Sequence, residues 1–264
     1  MTKGGRFNKV ALFAVAAAAC IGSAAHAATC GNSAAGFESW KQEFAQEAKG
    51  RVGGEAISAL MSTHYAQATI NADRGQKSFH MTLDGFMAKR GASAIIARGR
   101  ALKQSNAALF AQIQSRYGVP PGPLIAIWGM ETGFGAVHGN QNMLSSIATL
   151  AYDCRRTEYF TDQLYAALKL VDRGSFSAAT IGSMHGEVGQ TQFMPKTVLE
   201  YGVGSLETPS GALMSTANFL KAHGWSAGAG YQPGETNFAA IQAWNAATVY
   251  EEALAIMGKK IDGE

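Results

Sequence analysis

One stretch constrains this chain more than any other. Residues 119–135 read VPPGPLIAIWGMETGFG, and three of the six prolines, Pro120, Pro121 and Pro123, stand at its start. Proline is accepted in the first turn of a helix, where its missing N–H has no intrahelical partner and its fixed φ sets the entry. Leu124 to Met130 carries no charge, so the helix is apolar on every side and belongs in a core. It ends at Glu131, with Gly133 and Gly135 placed to stop it. A carboxyl group at the buried end of such a helix loses hydration when ionised, so its pKa rises. A carboxylic acid still protonated near neutrality is a general acid.

The other chemistries that a chain of 264 residues commonly carries lack their motifs. The six histidines are scattered and form no H-E-x-x-H pair, and no acidic loop has the calcium-binding pattern. Gly133-Phe134-Gly135 opens like a dinucleotide loop. Its third glycine, Gly139, comes one position late, and a helix rather than a strand precedes it. Ser183 sits in Gly-Ser-Met-His-Gly, which is not the G-x-S-x-G order of a nucleophile elbow. No metal and no cofactor is expected. Glycosidic chemistry remains, because it needs a proton donor and a groove of amide, hydroxyl and aromatic groups. The usual second carboxylate is not obvious; Asp153 and Glu187 are the acidic residues nearest the motifs, and its absence suits a reaction in which the substrate supplies the second group.

Residues 1–27 have the pattern of a secretory signal peptide: Lys3, Arg6 and Lys9, an apolar centre from Val10 to about Ile21, and Ala25-His26-Ala27 before Ala28. Export to the periplasm is expected. Cys20 lacks the leucine usual before a lipoprotein acylation site, so lipid anchoring is not. Without this segment the 22 basic residues fall by three to 19, equal to the 19 acidic ones. A net charge of zero points away from a nucleic-acid partner. The mature chain keeps Cys30 and Cys154, which form either one disulfide, permitted by export, or two buried thiols.

The periodicity is helical almost throughout. Residues 37–117 read as helices, among them 106–117 with Leu109, Phe110 and Ile113 on one side, while Arg98, Arg100, Lys103 and Arg116 read as a solvated face. Further on, Phe160, Leu164, Leu168 and Val171 share a face, and Ser210 is placed to cap a helix ending near His223. A last helix is expected from about Phe238 to Gly258 without a break. The expected organisation is a signal peptide (1–27), an N-terminal helical subregion (28–117) and a catalytic core (118–264), the last two forming one unit.

Four segments, VPPGPLIAIWGMETGFG, IATLAYDCRRTEYF, GSMHGEVGQTQFMP and AWNAATVY, resemble in order and spacing the lytic murein transglycosylases of the type B family, over roughly residues 35–260. The resemblance implies a mainly α, lysozyme-like fold with little β structure. It implies cleavage of the bond between N-acetylmuramic acid and N-acetylglucosamine in peptidoglycan glycan strands, with a single glutamate acting first as acid and then as base, and a 1,6-anhydro end as product. The family's glutamate falls on Glu131 and its G-S-x-x-G serine on Ser183, there to hold substrate or acid. Its Gln-Phe pair falls on Gln192 and Phe193, its groove tyrosine on Tyr159, and its late asparagine on Asn245, with Trp244 before it and Tyr250 five residues after. Trp244 and Tyr250 are equally readable as packing or as sugar platforms.

Three departures stand out. The serine loop reads Glu187-Val188-Gly189 where the family often has A-M-G, the calcium loop many members carry after Gln-Phe-Met-Pro is missing, and the link to the last helix is short. The competing readings are a wall-binding module serving a secretion or flagellar assembly, with catalysis weak or lost, and a hydrolytic muramidase whose products carry reducing ends. The chain is expected to be a monomer.

Overall fold

The computed structural model describes residues 28–76 and 81–263, together with Met1. The signal-peptide reading and Cys20 lie outside the described residues. No helix among those residues is long and apolar enough to cross a membrane.

Among the described residues, six α-helices precede the central stretch: α1 (Phe37–Ala48), α2 (Gly54–Met61), α3 (Gln67–Arg74), α4 (Leu83–Lys89), α5 (Ala92–Ser105) and α6 (Ala107–Tyr117). The central helix is α7 (Pro121–Thr132), followed by α8 (Met143–Tyr152), α9 (Thr157–Asp172), α10 (Pro195–Tyr201), α11 (Pro209–Ala222), α12 (Phe238–Trp244) and α13 (Thr248–Asp262). Among the described residues the sheet content is one antiparallel pair, β1 (Gln141–Asn142) with β2 (Ile181–Gly182), in which Gln141 faces Gly182 and Asn142 faces Ile181. The fold is mainly α, as the sequence predicts.

Helix α7 starts with Pro121 in its first turn and stops at Gly133, whose φ of 59° is the left-handed conformation glycine adopts without strain. Every residue from Gly122 to Met130 is buried, against α5, α11 and α13. Two glycines set the α7–α13 distance, since a methyl group at Gly122 would overlap the Gly258 carbonyl oxygen. The helix ends are tied to each other as well. Asp262, at the end of α13, accepts the Gly122 N–H at 2.8 Å and the Tyr231 hydroxyl at 2.7 Å.

The first three helices pack on α8, which is buried along its whole length, and on α9. Phe37, Trp40, Tyr65 and Tyr152 stack and tilt against one another there. Cys30 and Cys154 are joined, with Cα atoms 5.0 Å apart, so the disulfide alternative holds and the start of the chain is fixed to the α8–α9 turn.

Two local expectations are corrected. The last helix is two, because Asn245 leaves helical geometry (φ −153°) between α12 and α13 and its side-chain oxygen turns to accept the Ala247 N–H at 3.0 Å. The cap of α11 is Thr208 rather than Ser210: its hydroxyl accepts the Gly211 N–H at 3.2 Å, and Pro209 takes the first helical position. The solvated-face reading holds for Arg98, Arg100 and Arg116, which are exposed, and Lys103 is half-buried. Arg100 and Lys103 also donate to the carbonyls of Lys260 (2.9 Å) and Asp262 (2.8 Å), at the end of α13 where a helix favours cations.

Candidate active site

Glu131 is the last charged position of α7 and points its carboxyl group into a groove of about 590 Å³. Two donors act on its Oε1. The Tyr250 hydroxyl of α13 makes a short hydrogen bond to it, and the Trp244 indole N–H at the end of α12 lies 3.4 Å away. Burial pushes the Glu131 carboxyl group up from its ordinary pKa. The Tyr250 and Trp244 hydrogen bonds and the Arg90 guanidinium oppose that rise, and the nearby charge of Glu187 adds to it. Arg90 caps α4. The Tyr250 hydroxyl is itself pushed well above its usual value, first by burial and then by Glu131, so it stays a donor.

The helix end is locked to the loop beyond β2. The Thr132 hydroxyl donates to the Gln190 carbonyl at 2.6 Å and accepts the Gly135 N–H at 2.9 Å, while the Trp128 indole N–H donates to Gln190 Oε1 at 2.9 Å. Gln190 Nε2 reaches on to the Glu207 carbonyl at 2.6 Å. Gln190 is buried, and both ends of its side-chain amide are engaged by protein partners. Sequence reading passed over this residue and Thr132. The signal was the threonine following the glutamate, whose hydroxyl at a helix end needs a partner.

The sequence-predicted residues fall into two groups. Tyr159, Ser183, Gln192, Phe193, Trp244 and Asn245 line the groove together with Glu131. Tyr159 is half exposed at the rim, edge-on to Phe160. Gln192 takes a left-handed backbone (φ 53°) and folds its amide back onto the Gly189 carbonyl at 2.9 Å. Phe193 is buried against Trp244 and Phe219, so only its edge lines the groove. Tyr250 stands apart and is corrected: it is 5% exposed, packed near Phe86 behind the carboxyl group, and offers no face to a sugar. Ser183 does not reach Glu131. Its hydroxyl makes a short hydrogen bond to Glu187, a residue that also lines the groove, as do His185 and Met194. A larger cavity of about 780 Å³ opens among His138, Arg173, Ser205 and Glu207, but none of the candidate residues lines it, so it is not the acid's site.

A helical core that buries one carboxyl group at the floor of a polar, aromatic-edged groove defines the lysozyme-like class. The chain belongs to the transglycosylase SLT domain family, whose model matches residues 36–234. This agrees with the resemblance carried by the four motifs. The membrane-bound lytic murein transglycosylase B of Escherichia coli K12 is 38% identical over 121 residues, which are 42% of this chain and 34% of that protein. The match therefore spans about a third of that relative's length. Among solved structures, SltB3 from Pseudomonas aeruginosa in complex with NAG-anhNAM-pentapeptide superposes with a TM-score of 0.78 at 28% identity, covering 86% of this chain and 80% of that one. Escherichia coli Slt35 in complex with bulgecin A gives 0.72 at 22% identity over 89% and 96%, a likeness of fold.

Proposed function

We propose that this chain is a periplasmic lytic transglycosylase that cuts the β-1,4 bond between N-acetylmuramic acid and N-acetylglucosamine in peptidoglycan and leaves a 1,6-anhydro-muramic acid end. Membership of the SLT domain family supports the class, and SltB3, a structural relative, binds peptidoglycan fragments. The single observation that carries the mechanism is the one-sided solvation of Glu131: Tyr250 and Trp244 both serve Oε1. With Oε1 taken by these two donors, the acidic proton belongs on Oε2.

Glu131 first gives that proton to the glycosidic oxygen as the bond to the anomeric carbon breaks. The resulting carboxylate, steadied by Tyr250 and Trp244, then takes the proton of the muramic acid 6-hydroxyl as that oxygen closes onto the same carbon. No water is consumed, so one carboxyl group suffices for both steps. Gln192, Asn245 and Tyr159 supply amide and aromatic contacts for the sugars along the groove, and Phe193 and Trp244 its apolar wall.

The test is digestion of purified sacculi by the mature chain, with mass spectrometry of the soluble products. Anhydro-ended muropeptides are expected, and Glu131→Gln should lower their release by at least about a thousandfold by removing the acid. Release at the wild-type rate by that variant would take Glu131 out of the reaction.

A further inference from the structure

The single-acid scheme leaves Ser183 and Glu187 without a part. Ser183 Oγ accepts the N–H groups of His185 at 3.1 Å and Glu187 at 3.2 Å, so its own proton has one direction left, onto Glu187 Oε2. The turn is closed by its backbone, with the Ser183 N–H on the Glu187 carbonyl at 2.8 Å and the Gly186 N–H on the Ser183 carbonyl at 3.2 Å. The Glu187 carboxylate is thus fixed at the groove wall. Its Oε1 has no protein donor among the described residues, and the groove it lines is the one that holds Glu131.

Hydrolysis of a glycosidic bond asks for two carboxyl groups at one groove, an acid for the leaving oxygen and a base for the water. We propose that Glu187, oriented by Ser183, is the base of a second, hydrolytic outcome, by which this chain releases part of its products with reducing rather than anhydro ends. The proposal rests on the transglycosylase reading, because bond and acid are the same. The step balances. Glu131 gives its proton to the glycosidic oxygen as the bond to the anomeric carbon breaks, the oxygen of one water forms the new bond to that carbon, and the proton lost by the water goes to Glu187. Solvent then returns a proton to Glu131 and removes one from Glu187. A water needs about 30 Å³, and the groove measures about 590 Å³. The two outcomes compete at one carbon between the substrate's 6-hydroxyl and that water. The alanine that the type B pattern often has at this position offers no base there.

The experiment counts ends. Sacculi are digested with the mature chain, with Glu187→Ala and with Glu187→Gln, and the soluble muropeptides are treated with borohydride, which reduces reducing ends and spares anhydro ends. Mass spectrometry gives the ratio of the two over an enzyme-free blank. The wild type should yield both, and the reduced fraction should fall at least tenfold in both variants; glutamine keeps the shape and an acceptor for Ser183, so its effect is not one of packing. Only anhydro ends from the wild type, an unchanged fraction in both variants, or loss of both products together would overturn the proposal while leaving anhydro chemistry to Glu131. A wild type that releases no product at all would strike the transglycosylase reading itself.

Discussion

Tyr250 is the residue whose part least resembles its place in the sequence. It lies 119 positions from Glu131, yet its hydroxyl is the shortest contact the carboxyl group makes. That hydrogen bond favours the ionised form, so removing it should raise the Glu131 pKa further. In Tyr250→Phe the loss of activity at high pH is expected to move upward on the pH scale, with turnover lower by up to about tenfold. Initial rates of sacculus digestion from pH 4 to 9 check this. A raised KM with an unmoved pH limb would mean that Tyr250 acts on sugar. The same carboxyl group bears on stability. Its folded pKa is raised above the unfolded value, so its contribution is full below the unfolded value and is lost as pH rises through the folded one. Glu131→Gln, neutral throughout, should match the wild type near pH 4 and exceed it at pH 8. The gain expected is about 1.4 kcal/mol for every tenfold weakening of the acid on folding. Thermal unfolding at the two pH values reads this directly.

At the scale of elements, the acid is placed by the crossing of α7 and α13. Gly122 against Gly258 sets how close the helices come, and Asp262 ties the two ends. Gly122→Ala would drive a methyl group into the Gly258 carbonyl and the Asp262 carboxylate, and overpacking of this kind costs about 1–3 kcal/mol. Because α13 carries Tyr250, the variant should lose activity more steeply than folded fraction, which circular dichroism and product release together would show. The sequence made α7 legible, since prolines, a charge-free run and Gly133 agree on its start, burial and end. It hid the break at Asn245, because alanines on either side favour helix and the cause is a side chain turning back on its own backbone. It hid the Tyr250 contact for a different reason: helical spacing tells that Tyr250 faces the core, but not which buried polar atom waits there.

At the scale of the molecule, the groove needs both halves of the chain. The buried core is continuous from Phe37 to Ile261, α5 lies against α7 and α13, and Arg90 and Phe86 come from the N-terminal half to the surroundings of Glu131 and Tyr250. We propose that residues 28–117 and 118–264 therefore fold as one unit, which predicts one urea transition followed alike by tryptophan fluorescence and circular dichroism. Two transitions would divide them. The disulfide acts on this same scale. Cys30 and Cys154 are 124 positions apart, and closing a loop of that length in the unfolded chain is worth up to about 5 kcal/mol by chain entropy. Neither cysteine lines the groove. The Cys30→Ser, Cys154→Ser double variant should thus lose about 3–5 kcal/mol of stability in urea and still yield the wild-type ratio of anhydro to reducing ends. If that ratio changed while the fold stayed intact, the tie between the start of the chain and the α8–α9 turn would be shaping the groove as well as holding the molecule together.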